Sequence, residues 1–80
     1  MGIPADQARS IAVAAITEVT GLPPLRIAPD RKLVEDIGLV SLDFLRVVQI
    51  VEEHADIRLD DATVAGVVTV DDLGRLLLSP

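Results

Sequence analysis

The sequence predicts an all-α fold: a bundle of four helices, three longer and one short, with a long first loop. Three observations carry this. Apolar residues recur at helical spacing in separate stretches. Gly and Pro stand where those stretches begin or stop. No stretch keeps the alternation of a strand, because the β-branched run from Val64 to Val70 is interrupted by Gly66 and by the capping residue Thr69. The chain has 80 residues, which predicts one domain over residues 1–80. Half of these residues are apolar, too many for a disordered chain. A domain of this size buries roughly 60% of its unfolded surface, so its core is thin and has no room for a deep catalytic cleft.

The first helix is expected from about Pro4 or Ala5 to Thr20. Pro4 suits a helix start, and Asp6 favours the positive end of the helix dipole. Ala8, Ile11, Ala12, Ala15, Ile16 and Val19 make its apolar face. Gly21 stops it, and Pro23-Pro24 prevent continuation. The long connection from about Leu22 to Val40 carries Leu25, Ile27, Leu33, Val34 and Ile37, which suggests that it packs across the helices.

The second helix, Ser41 to Ala55, is the most legible. Phe44, Val47, Val48, Val51 and Ala55 fall in one stripe at about 100° per residue. Leu42, Leu45, Arg46, Gln49, Glu52 and Glu53 spread over the opposite and flanking surface. A turn from Asp56 to Leu59 leads to a short third helix that opens at Asp60 and Asp61 and ends at Gly66. Thr69 with Asp72 three residues on forms a capping box for a last helix from about Val70 to Leu78, which buries Val70, Leu73 and Leu77. Ser79 and Pro80 end the chain. Ala12, Ala15 and Ala65 either leave space between helices or allow tight packing.

The formal charge of −6 repels nucleic acid, which requires clustered Lys and Arg. The seven basic residues are scattered, and only Arg31 and Lys32 are adjacent. Phe44 is the only aromatic, so bases have no stacking platform. A basic membrane-binding face is absent as well, and the longest apolar runs fall short of the roughly 20 residues of a membrane span. There is no Cys, hence no disulfide and no thiolate metal site. His54 near a helix C-terminus reads as a dipole partner. Asp60, Asp61, Asp71 and Asp72 lack the spacing of a calcium loop and read as caps. One His and no Cys make no nucleophilic triad. No catalytic or metal-ligating residue is therefore expected, and the domain is read as not an enzyme.

Residues Leu33 to Leu45 read LVEDIGLVSLDFL. This segment resembles the attachment segment of the acyl carrier protein family, whose pattern is close to E-D-L-G-x-D-S-L-D. Glu35, Asp36, Ile37, Gly38, Ser41, Leu42 and Asp43 take the matching places. Downstream, VVQIVEEHADIRLDD is similar to the family's second helix and the linker that follows, and TVDDLGRLL to its last helix. The agreement in helix order, loop lengths and size covers essentially the whole chain.

The resemblance implies an acyl-carrier-like bundle with 4'-phosphopantetheine joined covalently to Ser41 by a phosphopantetheinyl transferase. The arm's thiol would carry acyl intermediates as thioesters. The implied partners are that transferase, an acyl-loading enzyme, and a ketosynthase or other acyl-processing enzymes, met by a cytoplasmic monomer. The pathway would be polyketide, related secondary-metabolite or fatty-acid biosynthesis. Asp36, Leu42, Asp43, Leu45, Arg46, Gln49, Glu52 and Glu53 are the implied docking residues. An ordinary solvated face is the alternative, with turn and helix-dipole roles for Asp36 and Asp43. Val67 and Val68 belong either to that surface or to the core. Gly38 either lets the backbone approach Ser41 closely or turns with positive φ.

Three departures stand out. The family's Asp before the serine is Val40 here, and Arg46 stands where better-known members carry an acid; Gln49 replaces a commonly apolar contact. Peptidyl carriers often lack that Asp, but they prefer Gly-Gly-x-Ser-Leu preceded by aromatics, and Ile37-Gly38-Leu39-Val40 does not give it. Val40 also leaves open an unmodified protein-interaction module with a carrier-like fold, in which Ser41 is only an N-cap. The Met1 start and the lack of flanking linkers favour a stand-alone chain over an excised domain.

Overall fold

A computed structural model describes residues 3–78. Its four α-helices are α1 (Ala5–Thr20), α2 (Ser41–Ala55), α3 (Asp61–Ala65) and α4 (Val70–Arg75), and a 3-10 turn covers Pro24–Arg26. Among the described residues there is no strand, only an isolated antiparallel bridge between Lys32 and Thr69. The expected all-α class, helix order and short third helix are all observed. Ser79 and Pro80, expected to end the chain, lie outside the described residues.

Helix α1 packs against both α2 and α4 and organises the core. It buries Ala8, Ala12, Ala15 and Ile16; Ile11 and Val19 flank this stripe partly buried. Ala12 and Ala15 are fully enclosed, so here small residues serve close helix packing, whereas Ala65 is exposed. Pro4 sits one place before the first helical residue, in an extended conformation at ψ 148°, and its carbonyl accepts from Ala8 N at 2.9 Å. Gly21 ends α1 in the left-handed region at φ 78°, where its N–H reaches the Thr17 carbonyl at 2.8 Å. A residue with a Cβ is strained in that conformation.

From α2, Val47, Val48 and Val51 are buried, with Phe44 and Ala55 partly buried beside them. Val70, Leu73 and Leu77 close the core from the C-terminal side. The last helix stops at Arg75, short of the expected Leu78. Beyond it the chain tightens into bonds three residues apart, from Leu77 N to Gly74 O and from Leu78 N to Arg75 O, each 3.1 Å.

The long loop does pack down, but not with every residue expected. Ile27, Leu33 and Leu39 are buried and Ile37 is partly buried. Leu25, on the 3-10 turn, is 97% exposed and Val34 is 63% exposed. The loop has no helical period to divide inward from outward positions, and backbone bonds make the division instead. Leu33 N donates to Val68 O at 2.8 Å, Val70 N to Arg31 O at 3.0 Å, and Asp71 N to Pro29 O at 2.8 Å. These three bonds fasten the loop to the entry of α4 and hold the chain leading into α2.

Candidate functional site at the start of α2

The chain reaches α2 through a turn over residues 32–39. Ile37 N and Asp36 N both donate to Lys32 O, and Leu39 N returns to Leu33 O at 2.9 Å. Gly38 adopts φ 84°, and a Cβ placed there would meet nothing within 4 Å. Its role is therefore the left-handed turn and not close steric approach. Burial of Leu39 anchors the turn, and Val40 leaves it extended, at φ −80° and ψ 167°.

Val40 is the N-cap of α2 and Ser41 the first helical residue, so Ser41 does not cap this helix. The ladder begins with Phe44 N donating to Val40 O at 2.8 Å. The amides of Ser41, Leu42 and Asp43 precede the ladder and have no carbonyl to bond within the helix. A valine side chain accepts no hydrogen bond, and the helix start has no side-chain cap. The Ser41 side chain is exposed beside these amides. Val34, Gly38, Leu39, Val40 and Phe44 join Ser41 in lining an open, mainly apolar depression of about 640 Å³.

The outer face of α2 continues from Ser41. Leu42 and Leu45 are 68% and 56% exposed, and Arg46, Gln49 and Glu53 are exposed with them. Asp43 is half-buried in the first turn, where its charge suits the helix dipole. Glu52 is half-buried too, and its Oε2 accepts from Leu59 N at 2.8 Å, so it ties the end of α2 to the segment before α3. Asp36 Oδ2 accepts from Lys32 N at 2.9 Å and braces the turn while remaining exposed. Val67 is buried and Val68 is 52% exposed, which splits the pair between core and surface. Sequence reasoning missed the apolar rim made by Val34 and Val40. No periodic signal marked them, because the loop follows no helical spacing and the turn at Gly38 buries Leu39 while Val40 and Val34 stay outside.

No group of three or more His, Asp or Glu side chains is placed to hold a metal among the described residues. The displaced carboxyl pKa values belong to helix caps. Hydrogen bonds from Thr63 hold Asp60 below the ordinary range. Bonds from the backbone of Thr69 and then of Val68 do the same for Asp72.

Over residues 11–77 the chain matches the family described as "Phosphopantetheine attachment site". It is 35% identical over 57 residues to the "Acyl carrier protein" of Sulfurovum sp. (strain NBC37-1), covering 71% of this chain and 76% of that protein. The chain belongs to the acyl carrier protein family. It is also 33% identical over 73 residues to the "Meromycolate extension acyl carrier protein" of Mycobacterium bovis, covering 89% of this chain and 64% of that protein. The Mycobacterium leprae protein of the same description is 33% identical over 58 residues, covering 72% of this chain and 50% of that protein. The match thus spans less than two thirds of the length of these mycobacterial relatives. The family is one of carriers and not of catalysts, and its cofactor is a covalently attached phosphopantetheine arm.

The start of α2 fits that arm. An exposed hydroxyl offers an attachment point with a free path to solvent. Unbonded amides and the positive end of a 15-residue helix suit a phosphate diester placed beside them. When bound, the arm supplies a terminal thiol that holds acyl groups as thioesters. What the chain itself contributes is presentation: Gly38 turns the backbone, Leu39 anchors it, and Val40 leaves the amides uncovered.

Proposed function

We propose that Ser41 carries the phosphopantetheine arm and that residues 1–80 act as one carrier domain. The domain passes acyl intermediates among the enzymes of polyketide, related secondary-metabolite or fatty-acid biosynthesis. The observation that supports this most is the exposed Ser41 hydroxyl at the first position of α2, next to amides that no side chain caps. The partners are the phosphopantetheinyl transferase, an acyl-loading enzyme, and a ketosynthase or other acyl-processing enzymes. They meet the domain, as a monomer, on the face that includes Leu42, Asp43, Leu45, Arg46, Gln49 and Glu53, with Asp36 and Glu52 at its margins. A cytoplasmic location is part of the same proposal and rests on the carrier reading; separately, no helix among the described residues is long and apolar enough to cross a membrane.

The test is incubation with coenzyme A and a broad-specificity transferase, followed by intact mass. One added phosphopantetheine is expected, and none on Ser41→Ala. Val40 favours a second reading, an unmodified interaction module, because the residue before the serine offers a transferase no charge. No mass gain with several transferases supports that module, and a gain only in Val40→Asp makes Val40 the obstacle.

A further inference from the structure

The exposed face of α2 carries its chemistry in sequence along the helix. Leu42, Leu45, Arg46, Gln49 and Glu53 lie within about 100° of arc at helical spacing, and all five are exposed. With a rise of 1.5 Å per residue the stripe runs for about 16 Å from its Ser41 end. It passes from apolar side chains through a cation and a neutral amide to an anion. In a chain of net charge −6, a cation at this place is conspicuous. Among the described residues the ion pairs are Lys32 with Glu35 and Arg75 with Asp71, and Arg46 takes part in neither. Asp43, three residues before it on the same helix, is not bonded to it either. Among the described residues the Arg46 guanidinium has no ion-pair partner.

A uniformly basic partner would be drawn in by the overall field of the domain. On contact it would bring a like charge against Arg46, and such juxtaposition disfavours a complex. Arg46 and Glu53 are about 10 Å apart along the axis, about one Debye length at ordinary salt, so a partner meets them as separate charges. From this pattern we infer that α2 docks a protein surface with a matching order. An apolar recess lies nearest the serine, a carboxylate about 6 Å farther along opposite Arg46, and a basic group opposite Glu53. The inference rests on the carrier reading above and adds the chemistry of the partner that reads this helix.

The test uses the holo-protein, with mass first verifying the arm on Ser41, so that failed loading counts against the carrier reading and not against this surface. Its dissociation constant is measured for the transferase and for each purified ketosynthase and acyl-loading enzyme of its source organism. For the tightest binder, Arg46→Glu is expected to raise Kd on the order of tenfold, and Arg46→Gln by less. Lys replacement of one carboxylate in that enzyme is expected to recover the loss with Arg46→Glu. Circular dichroism of each variant should match the parent, since Arg46 is exposed and unpaired. Binding unchanged or tightened by Arg46→Glu overturns the inference. So does a loss that no carboxylate-to-Lys change in the enzyme recovers, or the absence of any measurable binder.

Discussion

Helices α2 and α4 begin in opposite ways. At α4, Thr69 Oγ1 accepts from Asp72 N at 3.1 Å, and Asp72 Oδ2 accepts from both Thr69 N and Val68 N at 3.1 Å. Every group at that start is used to hold the fold. The loop that leads to the site also depends on it, because Leu33 and Arg31 bond the chain on either side of Thr69. At α2, Val40 offers nothing, and the amides of Ser41, Leu42 and Asp43 stay open. Helix α3 follows the α4 pattern, with Asp60 Oδ1 accepting from Thr63 N at 2.7 Å. The short helices, of five and six residues, are thus capped by their own side chains. The 15-residue α2 has enough packed length to do without a cap, which leaves its start available.

Removing a cap that is used is expected to have the largest effect. Thr69→Ala should cost about 1 kcal/mol by thermal or denaturant unfolding, with loading by the transferase unchanged. Ser41→Ala should abolish loading and move stability by less than about 0.5 kcal/mol. Next comes supplying the missing cap. Val40→Asp should stabilise the unloaded domain by somewhat under 1 kcal/mol, and loading should raise the melting temperature of the parent more than that of the variant. A parent and variant that gain equally would mean that the α2 amides do not meet the phosphate.

Acid acts on the used caps. The Asp60 and Asp72 carboxyls are held below their ordinary value of 3.8 by the bonds described above. Their contribution is complete above that value and fades as the pH falls through the lowered values of the folded state. An acid titration followed by circular dichroism should therefore show a loss of stability below about pH 4, shallower in Asp60→Asn and Asp72→Asn. A gain and not a loss is expected at Gly74, where an added Cβ would meet the Arg9 backbone at an ordinary 3.8 Å. Gly74→Ala should stabilise by a few tenths of a kcal/mol to about 1 kcal/mol, through the lower helix propensity of glycine.

Periodicity explains what could be read before the structure. The Val47, Val48, Val51 stripe and the Val70, Leu73, Leu77 stripe were legible because helical spacing sorts residues into faces. So was the Thr69 to Asp72 box, a local pattern. The loop obeys no period, and Leu25 and Val34 face solvent while Leu39, not anticipated, is buried. Glu52 looked like a surface residue by its angle on the helix. Its bond to Leu59 N spans seven residues and depends on the left-handed turn at Asp56, φ 54°, which carries the chain back. Gly74 likewise owes its burial to the approach of α1, which its own sequence neighbours do not reveal.

Ser41 is one of three serines in the chain, with Ser10 and Ser79. Fragmentation mass spectrometry of the domain after loading from coenzyme A tests the central claim most directly, because it locates the arm on a residue. The arm is predicted on the peptide that contains Ser41 and on neither other serine. An arm found on Ser10 or Ser79, or a parent chain that accepts none from any transferase tried, would contradict the account.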